Sequence, residues 1–363
     1  RRGRQLTDGP FCFLLACLAH PHTNQISRSY APGQSSKTLT QGTHRSWQGC
    51  DLDLTGVTID CPVDFTGAVF ASGRVDFQGA TFSGGPVRFV GAVFSGGHVN
   101  FGGAVFSRGF VAFTGAVFSG GHVDFAYAAF SGGIIDFDNG VFSGGAVNFG
   151  SAVFSRGNVD FHDATFSGGH VVFRSATFSG GHVAFEAATF SDGDVTFQGA
   201  TFSDGHVNFG RAVFPGGHVN FEAATFSGGL VAFPSAMFSS SHVNFGRAVF
   251  SGGHVNFDNG VFSGGHVDFP YAMISGGIVA FEGATFSGGH VNFGSAVFSG
   301  GHVAFEGAVF SRGIVAFEAA VFSGGHMDFS ATTGPAPLML LRAVGTPVPP
   351  GVRLRTDWLP AGP

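Results

Sequence analysis

One 12-residue unit recurs from Val63 to Phe329, so that Val63, Val75, Val87 and Val99 open successive copies. A typical stretch reads V-N-F-G-G-A-V-F-S, from Val99 to Ser107. Phe fills two columns. The first runs from Phe65 to Phe329 without exception, and the second runs from Phe70 to Phe322, broken only at Ile274. Together they hold 44 of the 47 Phe residues, leaving Phe11, Phe13 and Phe110 outside. A unit this short cannot bury its own apolar side. Neighbouring units must stack and share one core, which is the logic of a solenoid.

Spacing within the unit sets the local structure. V-x-F and A-x-F each put two apolar side chains two residues apart, the period of a strand with one face inward. No i, i+3, i+4 pattern occurs in the repeat, so helix is excluded there. Each strand is about three residues long and would not persist outside a stack. After each A-x-F comes S-G-G. The second Gly column runs from Gly73 to Gly325 and only Ser241 breaks it, whereas the first accepts Arg108, Arg156, Asp192, Asp204, Ser240 and Arg312. A positive φ at the second position is therefore predicted, as in a type II turn. The shorter connection, F-x-x-A, makes the sharper corner.

These residues resemble the pentapeptide-repeat proteins, whose unit is roughly A-(D/N)-(L/F)-x-x. Phe77 and Phe82 match the central position, and Val75 and Ala80 match the inward residue two before it. The resemblance covers residues 63–329 and implies a right-handed parallel β-helix with four units per square coil. This chain departs from the pattern by two extra residues in every second unit, 5+7 instead of 5+5. The expected fold is all-β: a quadrilateral solenoid of about 24 residues per coil, about 11 coils and about 53 Å long. The alternative is a flattened, two-sided 12-residue coil. Phe77, Phe82, Phe101, Phe106, Phe125, Phe149, Phe173, Phe197, Phe221, Phe245, Phe269, Phe293 and Phe317 represent the expected core.

Function has to lie on the outward columns. One carries Asn and Asp, such as Asp76, Asn100, Asp124 and Asn148, which can hydrogen-bond along the stack and keep the surface soluble. A second is β-branched. Val93, Val105, Val117, Thr177, Thr189 and Thr201 mark it as a candidate contact stripe for a partner protein or a second copy. The third holds 12 of the 16 His residues, from His98 to His326. Phe110, Ile134, Ala146, Leu230, Ile278 and Ile314 replace His in that column, which argues for a partly packed position instead of a metal ligand. Stacked imidazolium rings would repel, so acid should destabilise the fold.

No G-x-S-x-G elbow, Walker A loop or H-E-x-x-H is present. Ser, His and Asp recur with the repeat, whereas catalysis needs one singular constellation. We therefore expect no enzyme, no catalytic residue, no cofactor and no metal. The formal net charge of −6 excludes a strongly basic nucleic-acid binder. Some proteins of the resembled family mimic duplex DNA and bind a topoisomerase. That implies an alternative role, although 18 acidic and 8 basic residues spread over 63–329 make a weak field.

The ends read differently. Residues 1–50 are polar and without period, an irregular leader. Within it Phe11–Ala19, behind Arg1, Arg2 and Arg4, is similar to a short signal peptide, giving export as the alternative to a cytoplasmic location. No apolar run is long enough to span a bilayer. Cys12, Cys17, Cys50 and Cys61 lack zinc-site spacing and read as free thiols in a reducing compartment. Leu52, Leu54, Val57 and Ile59 form a degenerate first half-coil of a solenoid over 51–330. The Pro-rich tail, 331–363, is expected to cap the last coil through Leu338–Val344. The expected role is a structural or protein-interaction scaffold.

Overall fold

The computed structural model describes residues 5–6, 52–59, 62–83, 86–107, 109–311, 314–336 and 340–359. Four short strands build each coil. Along the repeat, each strand pairs in parallel with its counterpart one coil later, as in His98↔His122 and Val105↔Ala129. Side chains bonded from rung to rung, such as Asn100 and Asp76, are accordingly 24 residues apart. This register settles the coil size and overturns the flattened 12-residue alternative. Two-residue strands from Val69–Phe70 to Val309–Phe310 form face one. Strands from Leu52–Asp53 to Ile314–Ala316 form face two. Face three starts at Thr58–Ile59 and face four at Val63–Asp64. Faces three and four merge at the far end, where Val297–Ala304 and Val321–Asp328 run through the corner as single strands.

Alternation within the strands sends Val, Ala and both Phe columns inward. Because one coil takes two repeat units, the two Phe columns become four stacks. Phe101 lies 4.7 Å from Phe125 with rings 3° apart, and Phe94 lies 4.9 Å from Phe118. Opposite stacks meet edge to face, as Phe89 and Phe101 do at 6.4 Å and 89°. Both are favourable geometries for ring quadrupoles. All 13 Phe residues named as core are fully buried, at 0% exposure.

The glycines differ from expectation. Most of the second Gly column does not have positive φ. What it lacks is room: a Cβ on Gly121 would lie 2.5 Å from the Gly97 carbonyl oxygen and 2.7 Å from Phe94 Cβ. The left-handed residue sits instead at the F-x-x-A corner. There the Ala104 N–H donates to the Phe101 oxygen at 2.9 Å, and Gly103 has φ +64°. Asn139, Ala223 and Arg247 take the same conformation with φ between 56° and 58°. This corner points to open solvent, so side chains fit but hold a strained backbone. Ala223→Gly should therefore raise stability by about 0.5–1 kcal/mol, the relief of left-handed strain less the entropy of glycine. Equilibrium denaturation would show it, and an unchanged midpoint would contradict it. Ser241 is buried at 1% and is not left-handed. Its hydroxyl finds no hydrogen-bond partner.

At the near end Leu54 and Ile59 are buried in the core. Of the leader, only Gln5–Leu6 is described, pairing in parallel with Thr58–Ile59. The leader's other features and all four cysteines lie outside the described residues. At the far end a short helix, Leu340–Val344, buries Leu340 and Val344. Val352–Arg353 pairs with Met327–Asp328, and Trp358 packs on Phe329 at 5.9 Å while its indole N–H donates to the Gly334 oxygen.

Candidate protein-interaction surface

Because successive 12-residue units alternate between opposite sides, each outward column splits in two. The single contact stripe read from the sequence is therefore two stripes. Val93, Val117 and Thr189 lie on face one, whereas Val105, Thr177 and Thr201 lie on face three. Val105 is 38% exposed and the other five are half-buried between their neighbours. No outward residue on either stripe carries a charge, from Val69 to Val309 on face one and from Thr58 to Val321 on face three.

The polar column has two jobs, one of which the sequence hides. Asn100 Nδ2 donates to Asp76 Oδ1 at 2.9 Å, and Asn148 Nδ2 to Asp124 Oδ1 at 3.0 Å, bonds along the stack. The column's Oδ1 atoms also accept backbone N–H groups two residues on, as from Gln78 to Asp76 and from Gly150 to Asn148. Such Asx turns hold the sharp corner open at the correct angle.

Histidines occupy faces two and four. On face two His218, His242, His266 and His290 stand on consecutive rungs, with ring centroids 6.1, 5.0 and 4.8 Å apart. His242 Nε2 meets Asp268 Oδ2 at 2.7 Å. Burial, followed by the neighbouring imidazoles His242 and His290, holds His266 below its ordinary value. Burial and then His182 do the same to His206. A lowered folded pKa means that the unfolded chain binds more protons near pH 6. Stability is therefore greatest above the ordinary histidine value and falls as the pH drops through it toward the lowered one. The melting temperature should decrease between about pH 7.5 and about pH 5.5. An unchanged value over that span would refute this.

A third surface was not visible as a column. Ten of the 18 carboxylates between Val63 and Phe329, from Asp64 to Asp328, converge on the edge between faces four and one, against only Arg88 and Arg211. Burial, then Asp160 and Asp136, pushes Asp138 above the usual carboxylate range, and burial foremost raises Asp160. Arg211 answers Glu186 on this edge.

Two concavities open among the described residues. One, of about 210 Å³, lies between the last coil and the tail, walled by Phe298, Phe322, Met327, Pro349, Pro350 and Val352. The other is a recess of about 330 Å³ on face two, where Val172 and Thr196 interrupt the polar column. Asp194 there accepts the His218 N–H at 3.2 Å and lies 3.6 Å from His170 Nδ1. No group of three or more His, Cys, Asp or Glu among the described residues is arranged to hold a metal ion. No helix among them is long and apolar enough to cross a membrane.

Residues 47–93 match the family model for pentapeptide repeats (9 copies). Comparison with curated protein sequences finds no match. Among solved structures the chain is similar to a trypsin-treated QnrB1, described as a plasmid-mediated fluoroquinolone resistance protein. Identity is 14%, over 65% of this chain and 86% of that one, at a TM-score of 0.15.

Proposed function

We propose that this chain, a pentapeptide-repeat protein built on a 12-residue unit, is a non-enzymatic rod that binds proteins along its sides. The observation that carries the reading is the pair of uncharged stripes on faces one and three, which extend over the length of the solenoid while charge gathers at the corners and on the other faces. Such a surface loses little on desolvation and offers β-branched and Met side chains to an apolar partner. Among the described residues of the solenoid the titratable groups recur rung by rung and form no singular constellation of the kind catalysis requires. Cysteines without zinc-site spacing favour a reducing, cytoplasmic setting. The reading is tested by immobilising the full chain beside a variant carrying Val117→Lys, Met237→Lys, Val153→Lys and Met273→Lys. Proteins retained by the first and lost by the second support it. Equal retention, or none, removes it.

A second reading, a DNA-mimicking regulator of a topoisomerase, draws support from the acidic edge. Ten carboxylates over about 53 Å give about one charge per 5 Å, against about one per 1.7 Å in duplex DNA. The density is about a third of that needed, which ranks this reading second. Absence of gyrase inhibition at micromolar protein would eliminate it.

We also infer that residues 331–363 close the far end of the rod, because Trp358 packs on Phe329 and Leu340 is buried in the core. Their removal should increase light scattering of the purified protein. A deletion that stays clear at equal concentration would refute the inference.

A further inference from the structure

The apolar surface around face three is not distributed evenly. Tyr127, 74% exposed, stands at the corner entering face three, with Ile134 at the corner leaving it. Tyr271, 63% exposed, and Ile278 hold the equivalent places six coils further along the same ladder. Midway between these two clusters the face carries a ladder of Thr177, Thr201 and Thr225. The outward residues of face three are nearly palindromic about Thr201. Thr177 answers Thr225, Val153 answers Val249, and Val105 answers Val297 at equal numbers of rungs on either side. Two steps do not match: small Ala129 answers Met273, and at the ends Thr81 answers Val321.

We propose that face three binds a second copy of this chain, with the two rods antiparallel and the two-fold axis passing at Thr201 along the strand direction. This rests on the protein-binding reading above and names its partner. A rotation of that kind reverses the rod and keeps the strand direction, so entering corner meets entering corner. Tyr127 of one copy then lies on Tyr271 of the other, Ile134 approaches Ile278, and Met273 fills the space over Ala129. Exposed Arg174 comes opposite Glu222 of the other copy, two rungs apart along the corner column. Rung spacing of about 4.8 Å is common to both copies, so each rung of one copy meets a rung of the other along the full length. A partner without this period could match only locally. The stretch from Val105 to Val297, symmetric about the axis, measures about 38 Å by 20 Å, near 770 Å², close to the roughly 800 Å² per partner of stable complexes. Asp204, on the axis rung, brings a negative charge opposite its own copy at the exposed edge. Removing that charge with Asp204→Asn should tighten association.

Sedimentation of the full chain over a range of concentrations tests the proposal. A monomer–dimer equilibrium is expected. Met273→Lys should weaken it by about tenfold or more, whereas Met237→Lys, on face one, should leave it unchanged. With the four native cysteines replaced by serine, Thr201→Cys should form a linked dimer by itself. Val105→Cys should link efficiently only when mixed with Val297→Cys. A chain monomeric at high micromolar concentration overturns the proposal but leaves the protein-binding reading standing, because retention of other proteins is measured separately. A dimer that responds to Met237→Lys and not Met273→Lys, or one in which Thr201→Cys fails to link, overturns it as well.

Discussion

Phe173→Ala is expected to destabilise the rod by about 3–5 kcal/mol, the cost of emptying a Phe-sized space that the surroundings cannot fill. The ring is fully buried. It is stacked at 4.8 Å on Phe149 and on Phe197, tilted at 5.8 Å against Phe178 and at 6.1 Å against Phe154, and edge-on to Phe185 at 6.4 Å. Truncation removes all five ring contacts, each worth about 0.5–1.5 kcal/mol beyond burial. The parallel strands on either side are too short to hold the coil without it. In a stacked architecture the damage is nearest-neighbour, so amide exchange should accelerate most in the coils touching residue 173. Denaturant unfolding measures the total. A loss below about 1 kcal/mol would mean that the ring stacks do not carry the fold.

Gly121→Ala should cost about 3 kcal/mol or more, an unusual figure for adding one methyl group. The added carbon would sit 2.5 Å from the Gly97 oxygen and 2.7 Å from Phe94 Cβ, so the backbone of the preceding coil has to move. Coil separation is set by the strand ladder and cannot widen at one corner alone. Gly103→Ala is the matched comparison. Its φ is +64° and nothing lies within 4 Å of the new carbon. That change incurs the left-handed penalty less the entropy that glycine costs, a net of about 0.5–1 kcal/mol. Thermal or denaturant midpoints should rank Gly121→Ala well below Gly103→Ala. The reverse order would place the conformational demand back at the S-G-G corner.

That pair of glycines also explains where the sequence was hard to read. A column that accepts only glycine can demand φ freedom or demand space, and both leave the same mark. The tolerant F-x-x-A corner, with Arg247 and Tyr271 in left-handed positions, looked unconstrained because the strain there is small and the side chains face water. The core was legible from Phe77 and Phe82 onward, since a two-residue spacing of large rings admits few arrangements. The 5+7 unit predicted four sides, and the 24-residue register bears that out. The surface was harder. A column followed along the chain hops between opposite faces, so His98 and His122 share a ladder while His182 and His206 belong to another. The acidic edge was hidden for a related reason. Its carboxylates come from three columns, as in Asp136, Asp138 and Asp163, which only the corner brings together.

Half-coil units give the gene a parity. Excising one 12-residue unit would keep every ring in a stack, yet everything downstream would turn half a revolution, placing each later surface feature on the wrong flank. Excising two would shorten the molecule by a single rung and leave its flanks in register. Length in such a chain can therefore drift freely by even steps, while an odd step leaves a folded rod whose two halves look in opposite directions.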